Sequence, residues 1–213
     1  MIVRTMIEDG QRLALRRRGA ELDLVLGNVV LLSSAALETE RAFGRLAEAA
    51  MKAAPAPRVI VGGLGFGATL RGVLEVAPSD ARIVVVEKLA SVVDVAENEA
   101  KDLVGGALED PRVVLERGDV ADVIAREKEL AAILLDVDNG PEWASFRSNA
   151  RLYADTALVR SREALRAAGI FAVWSGYPAD AFVARLRRAG FSPRIELLEE
   201  RGVVRARAYV GSC

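Results

Sequence analysis

The chain of 213 residues contains no histidine, and its single cysteine, Cys213, is the last residue. Without histidine, the commonest general base, the base of serine-type triads and the most frequent zinc ligand are all missing. Proton transfer therefore falls to carboxylates, tyrosine, lysine or a substrate. One terminal cysteine excludes an internal disulfide and a cysteine-based metal cluster, and no metal site is expected. Long hydrophobic runs are also lacking, since none reaches the roughly 18 to 20 residues needed to span a bilayer. Arg4, Glu8, Asp9 and Arg12 already interrupt the N-terminal stretch, so a cytoplasmic protein with no membrane partner is expected. Nor is there an excess of one charge. With 29 basic against 30 acidic side chains, the net charge of −1 argues against a nucleic-acid surface.

What is present is an ordinary globular composition, 52% apolar and 28% charged, on a chain long enough for one core with a small appendage. Short alternating stretches between Ile2 and Leu32 read as a small antiparallel β unit, residues 1–34. A helix is expected over 36–54, where Leu37, Ala42, Phe43, Leu46 and Ala50 recur at helical spacing until Pro55 and Pro57 stop it. From Arg58 onward, strands are expected at 58–62, 82–87, 112–117, 131–136, 170–175, 193–199 and 203–210. Helices fall between them at about 68–77, 89–104, 119–129, 149–168 and 179–189. Such alternation calls for a Rossmann-like α/β domain over 35–213, with a seven-stranded, mostly parallel sheet. The last two runs have only Gly202 as a turn signal between them and read as an antiparallel hairpin.

The most informative stretch is Arg58-Val59-Ile60-Val61-Gly62-Gly63-Leu64-Gly65-Phe66-Gly67, a β-branched strand running into a glycine-rich turn before a helix. Gly63, Gly65 and Gly67 let the backbone approach a ligand closely, beside amides at the helix N-terminus. A tight turn packed for its own sake is the plainer reading. The second strand ends in Glu87, twenty residues past Gly67, where a carboxylate can accept from two ribose hydroxyls; a solvent-exposed charge is the alternative. Gly118 and Asp119 fit an adenine contact, although Asp119 also fits a helix N-cap. Asp136 and Asp138 follow the strand that ends near Leu135, at the carboxyl edge where an open α/β sheet forms its ligand crevice. Asp136 suits a general base that attracts an ammonium group and takes its proton. Asp138-Asn139-Gly140-Pro141 also has the composition of a self-satisfied turn. Trp143, Phe146 and Tyr153 are candidates for an acceptor pocket or for core, and Trp174 and Tyr177 share that ambiguity.

Taken in order, these motifs resemble the spermidine synthase family of the class I S-adenosylmethionine-dependent methyltransferase superfamily. Val61 to Arg71 is similar to that family's G-G-G-D-G-G-x-L-R loop, and Val85-Val86-Glu87 to its V-E strand end. Asp110-Pro111-Arg112-Val113 with Arg117-Gly118-Asp119 is similar to its D-P-R-V…G-D segment. Leu134 to Pro141, followed by Leu152-Tyr153 and Ala164 to Phe171, stands in the place of its D-x-x-D-P, L-F and A-L-x-x-G-G segments. The resemblance implies S-adenosylmethionine or its decarboxylated form as donor, a small amine as acceptor, Asp136 as the catalytic base, Asp138, Asn139 and Tyr153 on the acceptor side, and a homodimer. Two departures stand out. The acid of the glycine loop, which in the family holds the donor's amino group, is Phe66 here, and the segment Leu37 to Gly44 lacks the tyrosine and histidine of the family's D-E-F-x-Y-H-E pattern. These departures weight the reading toward methyl transfer or an altered acceptor, with true aminopropyl transfer as the alternative. A nicotinamide-dependent oxidoreductase and a non-catalytic nucleoside-binding relative are further alternatives.

Overall fold

The computed structural model describes the whole chain except residues 9, 138–139 and 142–146, and at residues 147 and 148 the backbone alone. Four short strands come first, β1 (Ile2–Glu8), β2 (Gln11–Arg18), β3 (Glu21–Leu26) and β4 (Val29–Ser33), forming an antiparallel sheet in chain order. The basic run at the end of β2 has a partner: Arg18 Nε lies 2.6 Å and Arg16 3.3 Å from the carboxylate of Asp23, which is fully buried on β3. Their charges and the Ser33 hydroxyl hold that carboxyl down at about 2, against its burial.

Helices α1 (Glu38–Arg45) and α2 (Glu48–Lys52) follow, then an alternating series: β5 (Arg58–Gly62), α3 (Ala68–Val76), β6 (Arg82–Glu87), α4 (Ala90–Glu97), α5 (Lys101–Val104), β7 (Val113–Arg117), α6 (Val120–Arg126), β8 (Leu130–Leu135), α7 (Asp155–Ala164), β9 (Leu165–Ser175), α8 (Asp180–Arg188), β10 (Ser192–Glu200) and β11 (Val203–Ser212). The large sheet has the order β10-β11-β9-β8-β5-β6-β7; β5 to β9 run parallel, while β11 and β10 add an antiparallel hairpin. Its strands are near-continuous apolar runs because both faces are covered. Val59, Val61, Ile83, Val85, Ala132 and Leu134 face the layer containing α1 to α4; Ile60, Val84, Val86, Ile133 and Leu135 face the layer of α6 to α8. Among the described residues, no helix is long and apolar enough to cross a membrane.

Three helices differ from their expected extents. The helix expected over 36–54 breaks into α1 and α2, since Leu46 and Ala47 donate three residues back, to Phe43 and Gly44. That tighter turn lets Phe43 and Met51 both reach the core. The helix expected over 89–104 is interrupted at Asn98, whose side-chain amide donates to the Asp94 carbonyl at 2.8 Å and competes with the helical ladder. In the segment expected to be helical over 149–168, Arg147–Tyr153 is a 3-10 helix and α7 stops at Ala164. Leu165 instead pairs with Leu130 of β8, so strand pairing overrides the helix propensity of Leu165-Arg166-Ala167-Ala168.

Because β5 pairs with β6 on one side and β8 on the other, the chain reverses its direction of travel across the sheet between β5 and β8. Crevices form at the carboxyl edge of such a switch point. α1 is held over that edge by an unusually close crossing with α3. A Cβ on Gly44 would lie 2.2 Å from the Thr69 carbonyl oxygen, and one on Gly72 only 2.0 Å from that of Arg41. Both contacts are with backbone, which cannot swing aside. Gly72→Ala is therefore expected to destabilise the fold by about 1–3 kcal/mol or more, seen as a lowered melting temperature. An unchanged melting temperature would contradict the crossing.

Candidate functional site

The glycine loop leaves β5 at the switch point. Gly63 takes φ +91°, and a Cβ there would sit 2.1 Å from the carbonyl oxygen of Asp136. Glycine at 63 is thus required by the approach of β5 to the end of β8, whatever ligand the loop serves. Gly67, at φ +79°, caps α3 and faces Val104, outside the cavity wall, whereas Gly63 and Gly65 lie in that wall. The cavity has a volume of about 580 Å³, within the usual range for ligand pockets of about 300–1,000 Å³. Its floor is the carboxyl edge of the large sheet, and β4 of the N-terminal sheet closes it from above through Leu31, Leu32 and Ser33.

Glu87, at the end of β6, is buried and lines this cavity. One carboxylate oxygen accepts the Leu64 N–H at 3.0 Å and the other the Leu89 N–H at 2.8 Å. Burial pushes the carboxyl upward, and these amides pull it back. The side chain therefore ties the glycine loop to β6, with lone pairs remaining on both oxygens. Gly118 lies in the same wall and donates its N–H to the Glu87 carbonyl at 3.0 Å. Asp119 caps α6 by accepting from the Ala121 N–H at 3.0 Å, and its carboxylate also meets Arg151 and, at 3.8 Å, Lys88. The capping alternative for Asp119 is thus realised, and its side chain still borders the cavity.

Asp136 lies immediately past β8, with its backbone N–H donating to the Gly62 carbonyl at 2.8 Å. Its carboxylate accepts from the Thr69 hydroxyl at 2.5 Å. The crossing of α1 and α3 brings Glu40 to the same wall, its carbonyl oxygen 3.3 Å from Thr69 Oγ1. Dehydration, together with the neighbouring Asp136 charge, pushes the Glu40 carboxyl up to about 8. Dehydration also lifts that of Asp136 to about 6, against the Thr69 hydrogen bond. At neutral pH this pair of acids holds about one proton.

Neither Glu40 nor Thr69 was singled out from the sequence. An acidic residue in a helix's first turn is ordinarily a favourable partner for the helix dipole, and nothing local distinguishes Glu40 from Glu38. Tyr153, expected on the acceptor side, is buried in the core with its ring edge-on to Phe182, and Leu152 is the residue that borders the cavity. Its apolar neighbours on α8 draw the ring to the opposite face of the sheet from Glu40. Asp138, Asn139, Trp143 and Phe146 lie outside the described residues. Trp174, near the end of β9, and Tyr177, just past it, line the cavity.

The fold is that of the spermidine synthases. The chain superposes on the crystal structure of spermidine synthase from Thermotoga maritima with a TM-score of 0.78 at 17% identity, over 99% of this chain and 72% of that one. A spermidine synthase in complex with the transition-state analogue AdoDATO gives a TM-score of 0.76, also at 17% identity over 99% and 72%. A probable spermidine synthase from Corynebacterium glutamicum ATCC 13032 gives 0.66 at 16% identity, over 100% and 80%. No family model matches the chain, and no curated protein matches it by sequence.

The raised acids make stability depend on pH. Between about 4.5, the ordinary Glu value, and about 8, the folded chain retains a proton on Glu40 that the unfolded chain has released. Stability from this group is present at the acidic end and lost as pH rises through that window. Glu40→Gln removes the group, so its melting temperature relative to the parent protein is expected to climb steadily from about pH 5 to about pH 8. Parallel melting curves across that range would contradict the raised acid at Glu40.

Proposed function

We propose that the chain is a transferase that takes an alkyl group from an adenosyl sulfonium donor, S-adenosylmethionine or its decarboxylated form, and places it on a small amine. The observation that carries this reading is the pair of dehydrated acids, Glu40 and Asp136, in one wall of a cavity whose other end holds Glu87 and Asp119. The likeness to spermidine synthase structures, one of them bound to AdoDATO, supports the same assignment.

In this reading the glycine loop and Glu87 hold the nucleoside, with the lone pairs of Glu87 facing the ribose hydroxyls. Asp119 borders the adenine end. An acceptor arrives as an ammonium ion, and its charge favours the ionised forms of Glu40 and Asp136. Asp136, oriented by Thr69, accepts a proton from nitrogen. The freed lone pair attacks the carbon bound to sulfur; the C–N bond forms, the C–S bond breaks, and its electron pair stays on sulfur, leaving a neutral thioether. Little acid assistance is needed for such a leaving group, so most of the acceleration comes from holding nitrogen, carbon and sulfur in line.

The group transferred is weighted toward methyl by Phe66. At the loop position where the resembled family has an acid for the donor's amino group, this side chain packs with Leu15, Leu22 and Val95. Aminopropyl transfer remains the alternative, with Glu40 as a second site for an ammonium group. The oxidoreductase reading is not favoured, because the sheet ends in an antiparallel hairpin rather than in a second parallel half.

Calorimetric titration with S-adenosylmethionine, its decarboxylated form and methylthioadenosine ranks the donors. S-adenosylmethionine is expected to bind at least as tightly as the others, and preference for the decarboxylated compound would reverse the methyl assignment. Asp136→Asn is expected to retain donor binding while turnover falls by about 10²–10⁴-fold, the usual worth of a general base. Undiminished turnover would remove Asp136 from that role.

A further inference from the structure

The cavity wall holds four carboxylates, Glu40, Glu87, Asp119 and Asp136, and two cations, Lys88 and Arg205. Lys88 lies 3.8 Å from Asp119. Arg205, by contrast, forms no hydrogen bond or ion pair among the described residues. The open guanidinium group in so acidic a cavity contrasts with Arg4, Arg16, Arg18, Arg45 and Arg112, which all face carboxylates.

Its placement comes from a break in strand register. Along the β10–β11 hairpin Leu198 pairs with Ala206, but the next pair is Glu199 with Val204, so Arg205 is an extra residue with no partner opposite. Such a bulge re-aims a side chain. On its other side β11 pairs with β9 from Arg207, which stands opposite Ser175, the last residue of β9. Arg205 therefore lies beyond the carboxyl edge of the parallel sheet, on the flank of Trp174 and Tyr177 and away from Glu87 and Asp119. Arg205 is exposed to solvent and borders the cavity, so an incoming charged group can reach it without rearrangement of the strand.

We propose that Arg205 is the carboxylate-recognising group of this site. The planar guanidinium offers paired N–H donors that match a carboxylate, while Glu40 and Asp136 receive the ammonium group of the acceptor. The proposal rests on the transferase reading above. Two substrates can supply the carboxylate: the methionine tail of an undecarboxylated donor, or an acceptor that is an aminocarboxylate rather than a diamine.

Calorimetry on the full chain and on Arg205→Gln separates these sources. One arm titrates S-adenosylmethionine and its decarboxylated form; the other, at saturating methylthioadenosine, titrates γ-aminobutyrate and putrescine. In one arm the variant is expected to weaken the carboxylate-bearing ligand by about 10- to 100-fold, the worth of a charged hydrogen bond, with its carboxylate-free counterpart unchanged. Arg205→Lys is expected to recover part of the loss. Weakening in the first arm assigns the carboxylate to the donor, and in the second to the acceptor. If neither carboxylate ligand is affected, or both members of a pair weaken equally, the proposal is overturned while the transferase reading stands. If no adenosyl compound binds the parent protein, both fall together.

Discussion

Two half-buried carboxyl groups in one cavity wall, both lifted by dehydration, are the constraint around which the rest of this structure is organised. Drawing two acids together in a half-buried wall is unfavourable unless a proton or another cation sits with them. The fold nonetheless enforces the arrangement with rigid parts. Gly44 and Gly72 let α1 and α3 approach backbone to backbone, Thr69 fastens Asp136 from α3, and Gly63 lets the end of β8 lie against the turn after β5. Each contact is specific to its geometry, and together they fix the two acids in one wall, where the proposed ammonium group would relieve them. In the proposed reading, the stability forgone in the empty state is recovered when a cationic acceptor binds, as expected of a binding site rather than of a structural ion pair.

Much of the architecture is legible in the sequence because the central strands are buried on both faces. Continuous runs such as Val59-Ile60-Val61 and Ile83-Val84-Val85-Val86 have few alternatives to a covered parallel sheet, and Gly202 marks the terminal hairpin. The errors fall where a local preference meets a non-local partner. Leu165 to Ala168 has helical composition yet pairs with β8, and Asn98 ends α4 through a side-chain bond that competes with the helix.

The site divides in the same way. Gly63, Glu87 and Asp136 lie at the ends of predictable strands, so their shared edge follows from topology. Their local partners do not: Glu87 proves to be tied to two backbone amides, and Asp119 to a helix cap and two cations. Glu40 and Arg205 reach the cavity through a helix crossing and a register jump, long-range features that leave no pattern in the adjacent residues. Tyr153 shows the converse. An aromatic residue beside a cavity-lining leucine is drawn into the core by Phe182.

The central claim is that Glu40 and Asp136 exchange their shared proton for an ammonium ion. Titration of putrescine into the methylthioadenosine complex near neutral pH, in buffers of differing ionisation enthalpy, measures that exchange directly. The account predicts release of about one proton per amine bound, falling toward zero in Glu40→Gln. Amine binding with no proton release, or with the same release in the variant, would contradict it.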